Sequence, residues 1–424
     1  MHINNNFILK DIGASNTQND SNIGRHSWYY YKEGFSPNLV KHAIDHVGIK
    51  DKDMILDPFN GSGTVTLSSL QSNVMSMGIE VNPFSSFIAN TKQVTIKDVE
   101  RLAENIDATK NAIHKGGHIS PLLDFSTFSK TTGKEKWLFN KSVLNSFYSA
   151  FCHTSYYKNK ATRDFIRLAL ISSAMDNCNA IRDGKCLKYR PNWVQLKYNK
   201  DSFLHSFETR IKNYYEDLIL EPLPFKTKSI IINEDCRSFL NKTQHKFKLC
   251  ITSPPYLNSF DYTDVYRPEL FLGQFINTQS ELLQLRKKTL RSHVNVRQSS
   301  LLNTDFGLLY TDTLNKIKAG NSSPWQKKIP VMIQAYFEDM SLIINKLKSL
   351  SVSNGELWLV VSNSAYNDIE IPVDLILAHI ATTAGWFLSE IGVLRYITKR
   401  GTKYSPDITH LRESVIILKK KMGK

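Results

Sequence analysis

The chain has 424 residues, 41% of them hydrophobic and 22% charged, the balance of an ordinary globular protein. That length exceeds what one core usually fills, so a single domain carrying a sizeable insertion is expected. The formal net charge of +15 favours a polyanionic partner, nucleic acid ahead of an anionic membrane surface. No apolar run approaches the ~20 residues needed to cross a bilayer, and the Asn-rich start has no signal-peptide core. The expectation is a cytoplasmic protein without a membrane partner.

In chain order, residues 1–20 read as a mobile arm. An aromatic run, Trp28-Tyr29-Tyr30-Tyr31, precedes Phe35-Ser36-Pro37, where Ser36 is a good helix N-cap and Pro37 sits at the permitted first position of a helix reaching about Val47. The apolar run Met54-Ile55-Leu56 then ends in Asp57-Pro58-Phe59-Asn60-Gly61-Ser62-Gly63-Thr64. This pattern is a buried strand that ends in a small-residue turn and opens a helix, Val65 to Leu70. Gly61 and Gly63 lack the Cβ atoms that would stop a ligand approaching the backbone. A second strand, Val74 to Ile79, ends in Glu80, a carboxylate suited to ribose hydroxyls. Strand, Gly-rich turn, helix, strand and acid together form the nucleoside-binding half of a Rossmann-like α/β sheet. The dinucleotide version of the turn is excluded, because Thr66 stands where its third glycine belongs.

After Val81-Asn82-Pro83-Phe84 a helix runs to about Lys92. From about Thr95 to Leu223 apolar residues recur at helical spacing, as at Val143, Phe147, Ala150 and Phe151. Basic and aromatic residues cluster there at Lys188, Arg190 and Trp193, a mixture that suits phosphate neutralisation and base stacking and equally a solvated surface with Trp193 as a core anchor. A strand at Ser229–Asn233 leads into Glu234-Asp235-Cys236-Arg237, and a strand from Lys248 to Ile251 delivers Ser253-Pro254-Pro255-Tyr256. Across 276–330 nine basic residues, among them Arg286, Lys287, Lys288, Arg291 and Arg297, stand against three acidic ones. That ratio favours a nucleic-acid-contacting loop. The remainder reads helix (Val331 to Leu350), strand (Glu356 to Val361), helix (Ile371 to Ala384) and two strands (Glu390 to Thr398, Ser414 to Lys419). Lys399 and Arg400 lie in the last connection, as phosphate contacts or as a charged turn. The five cysteines are scattered, odd in number and not in metal-ligand spacing, so free thiols and no metal site are expected.

The pair Asp-Pro-Phe-x-Gly-Ser-Gly-Thr and Ser-Pro-Pro-Tyr resembles the cofactor and catalytic motifs of the amino-group DNA methyltransferases, which methylate N4 of cytosine or N6 of adenine. The resemblance covers about 26–92 and about 229–275 with motifs, and the remaining sheet by pattern. It implies a Rossmann-like S-adenosyl-L-methionine (AdoMet)-dependent methyltransferase sheet with helical and basic insertions. The corresponding divisions are an arm (1–20), a cofactor half (21–94), a helical insertion that is a candidate DNA-recognition region (95–223), a catalytic half (224–275), a basic DNA-contacting region (276–330) and the rest of the sheet (331–424). One departure is that the long insertion precedes the Glu-Asp-Cys-Arg strand. Either insertion is therefore a candidate for reading the target.

By resemblance, Phe35, Ser36 and Pro37 close over the methionine end of AdoMet. Asp57, Phe59, Gly61, Gly63 and Thr64 form the cofactor turn, and Glu80 holds the ribose. Val81 and Pro83 pack on the adenine, Asp235 accepts from its amino group, and Cys236 offers its backbone N–H. Ser253, Pro254, Pro255 and Tyr256 form the catalytic loop. Serine before Pro-Pro is typical of the cytosine-N4 enzymes of the family, whereas Asp or Asn is typical of the adenine-N6 enzymes. No cysteine follows a proline, so the covalent route of the cytosine-C5 enzymes is closed. The implied partners are double-stranded DNA and, in a restriction–modification setting, a cognate endonuclease; the residues leave the recognition sequence and oligomeric state open. Competing readings are adenine-N6 methylation, an RNA or protein amine methyltransferase, and a DNA-binding protein with a decayed methyltransferase fold. Intact Asp57, Gly61, Gly63, Glu80 and Ser253–Tyr256 argue against decay.

Overall fold

The computed structural model describes residues 3–7, 23–131, 135–183, 186–224, 227–294, 305–320, 326–398 and 407–421. Among them an eight-stranded sheet forms the centre. It is built from β1 (Ile3–Asn4), β2 (Met54–Asp57), β3 (Met75–Ile79), β6 (Ser229–Ile232), β7 (Phe247–Thr252), β8 (Ser351–Ser362), β11 (Phe387–Thr398) and β12 (His410–Lys419). The hairpins β4 (Ala180–Asp183) with β5 (Cys186–Tyr189) and β9 (Ser364–Tyr366) with β10 (Ile369–Ile371) stand outside it. The strand order is β1-β11-β12-β8-β7-β2-β3-β6. Only β12 runs against the rest, antiparallel to both of its neighbours. This is a Rossmann-like α/β sheet, and its direction of winding reverses between β2 and β7. Ligands bind such sheets outside the strand C-termini at that switch point.

The strands alternate in the way a sheet covered on both faces demands. Ile55, Leu249, Ile251, Trp358, Val360 and Val415 face one core, where α1 (Pro37–Val47) supplies Leu39, Val40, Ala43 and Ile44. Leu56, Cys250, Leu357, Leu359, Val361 and Ile416 face the other. That second core is closed by α8 (Cys236–Lys242), α12 (Leu308–Ala319), α13 (Ile329–Leu350) and α14 (Val373–Thr383). Helix α1 begins as its residues require, with Ser36 Oγ accepting from the Asn38 N–H, Pro37 at its start, and Gly48 closing it at φ +64°. Two further helices flank the nucleoside half, α2 (Thr64–Gln71) and α3 (Pro83–Lys92), the latter capped by Asn82.

A third core belongs to the stretch between the two motifs. The helices α4 (Val99–Lys115), α5 (Lys141–His153), α6 (Lys160–Asp176) and α7 (Lys200–Leu220) pack around Phe147, Phe165, Phe203 and Trp28. The β4–β5 hairpin interrupts them; its strands are half-exposed and gave no helical or strand signal strong enough to announce it. The segment after β7 joins this core, with Phe260, Val265 and Tyr266 buried in it. That segment comprises α9 (Tyr262–Val265), α10 (Arg267–Leu272) and α11 (Gln279–Lys288). The loop that leaves the sheet at Ser253 is thus anchored in the helical body.

Two strands are longer than their apolar patterns. β8 begins at Ser351, not Glu356: Ser351 pairs with Phe247, and the little-buried Val352, Ser353 and Asn354 form an irregularity before Glu356 pairs with Leu249. β12 begins at His410, not Ser414, because its first three residues pair with β11 without being fully buried. Trp358 is fully buried against the edges of Phe7, His42 and His46. Trp358→Ala is expected to lower the unfolding free energy by about 3–5 kcal/mol, the usual cost of emptying a large core site, as read from the shift in a urea unfolding midpoint.

Candidate active site

A cavity of about 300 Å³ opens at the C-terminal ends of β2, β3, β6 and β7. Its floor is the turn after β2. Asp57 is buried, and its Oδ1 accepts from the Phe59 N–H at 3.0 Å and the Thr252 hydroxyl at 2.6 Å. Gly61 has φ +50°, and a Cβ there would lie 3.2 Å from the Tyr31 ring. Gly63 has φ +87°, but the Cβ it lacks would meet Ala89 of α3 at 2.8 Å. The two glycines therefore differ: Gly61 opens the cavity wall, whereas Gly63 allows α2 and α3 to touch and does not line the cavity.

Glu80 bridges this turn to the next. One of its carboxylate oxygens accepts from the Gly61 N–H at 2.8 Å and the other from the Asn82 N–H at 2.7 Å. Burial pushes both acids up to about 7, against the pull of the Thr252 and Phe59 donors on Asp57 and of backbone N–H groups on Glu80. Asn60 and Asn82 line the same space, and each has a buried side-chain Nδ2 without a hydrogen-bond partner among the described residues.

The opposite wall is Ser253, Pro254, Pro255 and Tyr256, directly after β7. Ser253 Oγ lies 3.5 Å from the Tyr256 hydroxyl, which donates to Glu413 Oε1 at 2.8 Å. Tyr31 stacks on Tyr266 at 5.1 Å and 10°, and the Tyr266 hydroxyl donates to Glu33 at 2.6 Å. Phe260 and Tyr262 complete the aromatic side, with their rings 4.5 Å apart.

No family model matches the chain. It is 27% identical over 413 residues to the Type II methyltransferase M.BsoBI of Geobacillus stearothermophilus, covering 87% of this chain and 80% of that one. It is 25% identical over 427 residues to the Type II methyltransferase M.AvaI of Anabaena variabilis, with 92% and 84% covered. For the Type II methyltransferase M.MvaI of Kocuria varians the identity is 21% over 383 residues, with 84% and 80% covered. Over most of its length the chain is thus similar to Type II methyltransferases. Among solved structures, an rRNA methyltransferase, aviRa from Streptomyces viridochromogenes, aligns with 91% of the chain at 9% identity and a TM-score of 0.28, too loose a likeness to bear weight.

Of the residues that the family resemblance assigns to the cofactor, Phe35, Asp57, Phe59, Gly61, Thr64, Glu80, Val81, Asp235 and Cys236 line the cavity. Ser36 and Pro37 do not; they start α1 behind Phe35, and Pro83 likewise starts α3. Asp235 lines the cavity while its carboxylate caps α8 through the Arg237 N–H and pairs with the Arg237 guanidinium at 2.8 Å.

The basic candidates divide similarly. Arg291 is not a free phosphate contact, because its guanidinium pairs at 2.7 Å with both Glu338 and Asp339. Arg286 pairs with Asp261 at 2.8 Å. The Arg190 Nε–H donates to the Cys178 carbonyl at 2.9 Å. Lys188 is exposed beside Asp183, and Trp193 rests edge-on against Trp137 at 4.6 Å. Lys287 and Lys288 are exposed, and Lys288 reaches the cavity rim. Arg297, Lys399 and Arg400 lie outside the described residues. Among the described residues no cluster of His, Cys, Asp or Glu is arranged to hold a metal, and no helix is long and apolar enough to cross a membrane.

Sequence reasoning missed Tyr31, Glu33, Asn60, Asn82, His293, Arg395 and Glu413, all in the cavity wall. Asn60 and Asn82 adjoin the motif residues and were within reach. Arg395 and Glu413 come from β11 and β12, far along the chain, and nothing local marks them. His293 is 2% exposed, with neither ring nitrogen hydrogen-bonded among the described residues, and burial pushes its pKa down.

The two floor acids make stability depend on pH. In the unfolded chain they ionise near pH 4, whereas folding holds them protonated until about 7. Their neutral forms favour the fold fully below about pH 4, and that stabilisation is lost as pH rises through about 7. Urea unfolding across this window should show stability falling with pH, with a shallower fall in Asp57→Asn and Glu80→Gln.

Proposed function

We propose that this protein is a site-specific DNA methyltransferase that methylates the exocyclic N4 of cytosine in duplex DNA, as the modification enzyme of a restriction–modification system. The observation that carries the reading is that the Asp57–Glu80 floor and the Ser253–Tyr256 wall share one cavity at the sheet's switch point.

The residues fit AdoMet. Gly61 leaves the wall open where a Cβ would stand, Glu80 presents a carboxylate for a ribose diol, and the unpartnered Asn60 and Asn82 amides are donors awaiting acceptors. AdoMet supplies the electrophilic methyl group. The protein's part is to prepare the amine, whose lone pair is otherwise delocalised into the ring. Ser253 Oγ and the Pro254 carbonyl accept its two N–H bonds and so favour a localised lone pair. Pro254 and Pro255 hold these acceptors in place before the base arrives. Tyr256 offers a face for the base to stack on, and the base must leave the duplex to reach it. Serine before Pro-Pro supports cytosine over adenine. Lys188, Trp193, Lys287 and Lys288 are the exposed or half-exposed candidates for DNA contact.

The test is methylation of mixed-sequence duplex DNA with labelled AdoMet, followed by nucleoside digestion and mass spectrometry. N4-methylcytosine is the expected product; N6-methyladenine would overturn the base assignment, and unlabelled DNA with AdoMet bound would overturn the substrate. Ser253→Ala should slow methyl transfer at least ~10²-fold while AdoMet affinity by calorimetry stays within about twofold, because Ser253 acts on the amine. Replacing Lys287 and Lys288 together with Ala should weaken DNA binding and lower the slope of log K against log salt by about 1.8 if each meets one phosphate.

A further inference from the structure

The amine that receives a methyl group becomes cationic and must lose a proton, and the Ser253 wall contains a directed route for it. We propose, resting on the amino-methylation reading above, that this proton leaves through Ser253 and Tyr256 to the Glu413 carboxylate.

The donors all point one way. Ser253 Oγ is placed to accept from the amine, and its own hydrogen is directed to the Tyr256 oxygen 3.5 Å away. The Tyr256 hydroxyl donates to Glu413 Oε1 at 2.8 Å. The first of these distances is long, as reacting hydrogen bonds often are before substrate closes the site. In the transfer, the N–H bond breaks and an O–H bond forms on Ser253. The Ser253 hydrogen passes to Tyr256 and the Tyr256 hydrogen to Glu413. The base ends neutral, both hydroxyls are restored, and the carboxylate becomes a carboxyl that later releases its proton to solvent.

Neither hydroxyl can be the final acceptor. Burial, reinforced by the Glu413 charge, pushes the Tyr256 phenol well above its ordinary range, so it stays protonated and passes a proton on. Glu413 is 3% exposed, on the antiparallel strand β12, opposite Arg395 of β11 and Ser362 of β8. The Arg395 Nε–H donates to Glu413 Oε2 at 2.6 Å, leaving Oε1 to face Tyr256. The Arg395 side chain is 34% exposed. The neighbouring Arg412 is paired with Asp374 at 2.8 Å, so the charge facing Tyr256 from β12 is that of Glu413. Tyr262, across the cavity, adds no charge while protonated, and burial pushes its pKa up as well.

Glu413 therefore acts through Tyr256, and a double-mutant cycle of Glu413→Gln and Tyr256→Phe in the full chain separates this role from simple bracing. Tyr256→Phe keeps the stacking face and the Glu413–Arg395 pair, so it carries the test even where Glu413→Gln folds poorly. Single-turnover methyl transfer to DNA is measured in water and in deuterium oxide, with AdoMet and DNA affinities alongside. Each variant is expected to lose ~10²-fold in rate with both affinities within about twofold, and the wild-type solvent isotope effect should vanish. The double variant should be no slower than the slower single one. Unchanged rates, losses confined to affinity, or losses that multiply would overturn the relay. A wild-type protein that binds AdoMet but methylates no DNA would instead overturn the reading on which it rests.

Discussion

The hydroxyl of Thr252 donates to Asp57 Oδ1 at 2.6 Å, and the site depends on that buried bond. Asp57 is the last residue of β2 and Thr252 the last of β7, the two strands between which the sheet reverses its winding. The same Asp57 oxygen also accepts from Phe59, which sets the turn that carries Gly61. One oxygen thus holds the nucleoside turn and the Ser-Pro-Pro-Tyr loop at a common origin, although 195 residues separate the bonded pair. Register does the rest. Ile55 and Leu56 pair with Leu249 and Cys250, so the two strands end within one residue of each other and their loops face one cavity.

The cavity's electrostatics divide by partner. On the floor, Asp57 and Glu80 have no cation beside them among the described residues; backbone N–H groups and one hydroxyl satisfy them, and burial weakens their ionisation. A ligand that brings hydroxyls or positive charge changes that balance in its own favour. Elsewhere around the cavity, acids and guanidinium groups are paired off: Asp235 with Arg237, Asp261 with Arg286, Glu413 with Arg395. Removing one partner of such a buried pair strands the other, so these positions tolerate less than their exposed counterparts. It also explains why the basic count of the 276–330 stretch overstates its free charge.

The helical body does more than add surface. Arg182 of the β4–β5 hairpin forms an ion pair with the fully buried Glu269 and lies over the Tyr266 ring at 4.5 Å. Tyr266 in turn stacks on Tyr31 and donates to Glu33, both in the cavity wall. A hairpin from the stretch between the motifs is therefore in physical contact with the aromatic side of the site. The loop leaving Ser253 is pinned at its far end by the same residues.

What the sequence by itself determined was everything carried by short-range pattern. The apolar runs before Asp57 and Ser253, the glycines whose positive φ the turn needs, and the Ser36-Pro37 helix start all encode their local geometry in adjacent residues. The Rossmann-like sheet was legible for the same reason, since its inner strands alternate between two buried faces. Only the tertiary structure decided which charges are free and which residues share the cavity. Arg291 and Lys288 are both basic residues of one stretch, yet Glu338 and Asp339 of α13 form ion pairs with the first, whereas the second is exposed at the cavity rim. Glu413 and Arg395 enter the site because β12 runs antiparallel between β8 and β11 and brings its side chains beside Tyr256. Long-range pairing of this kind leaves no periodicity in the chain, because the interaction energy belongs to the contact and to neither segment alone.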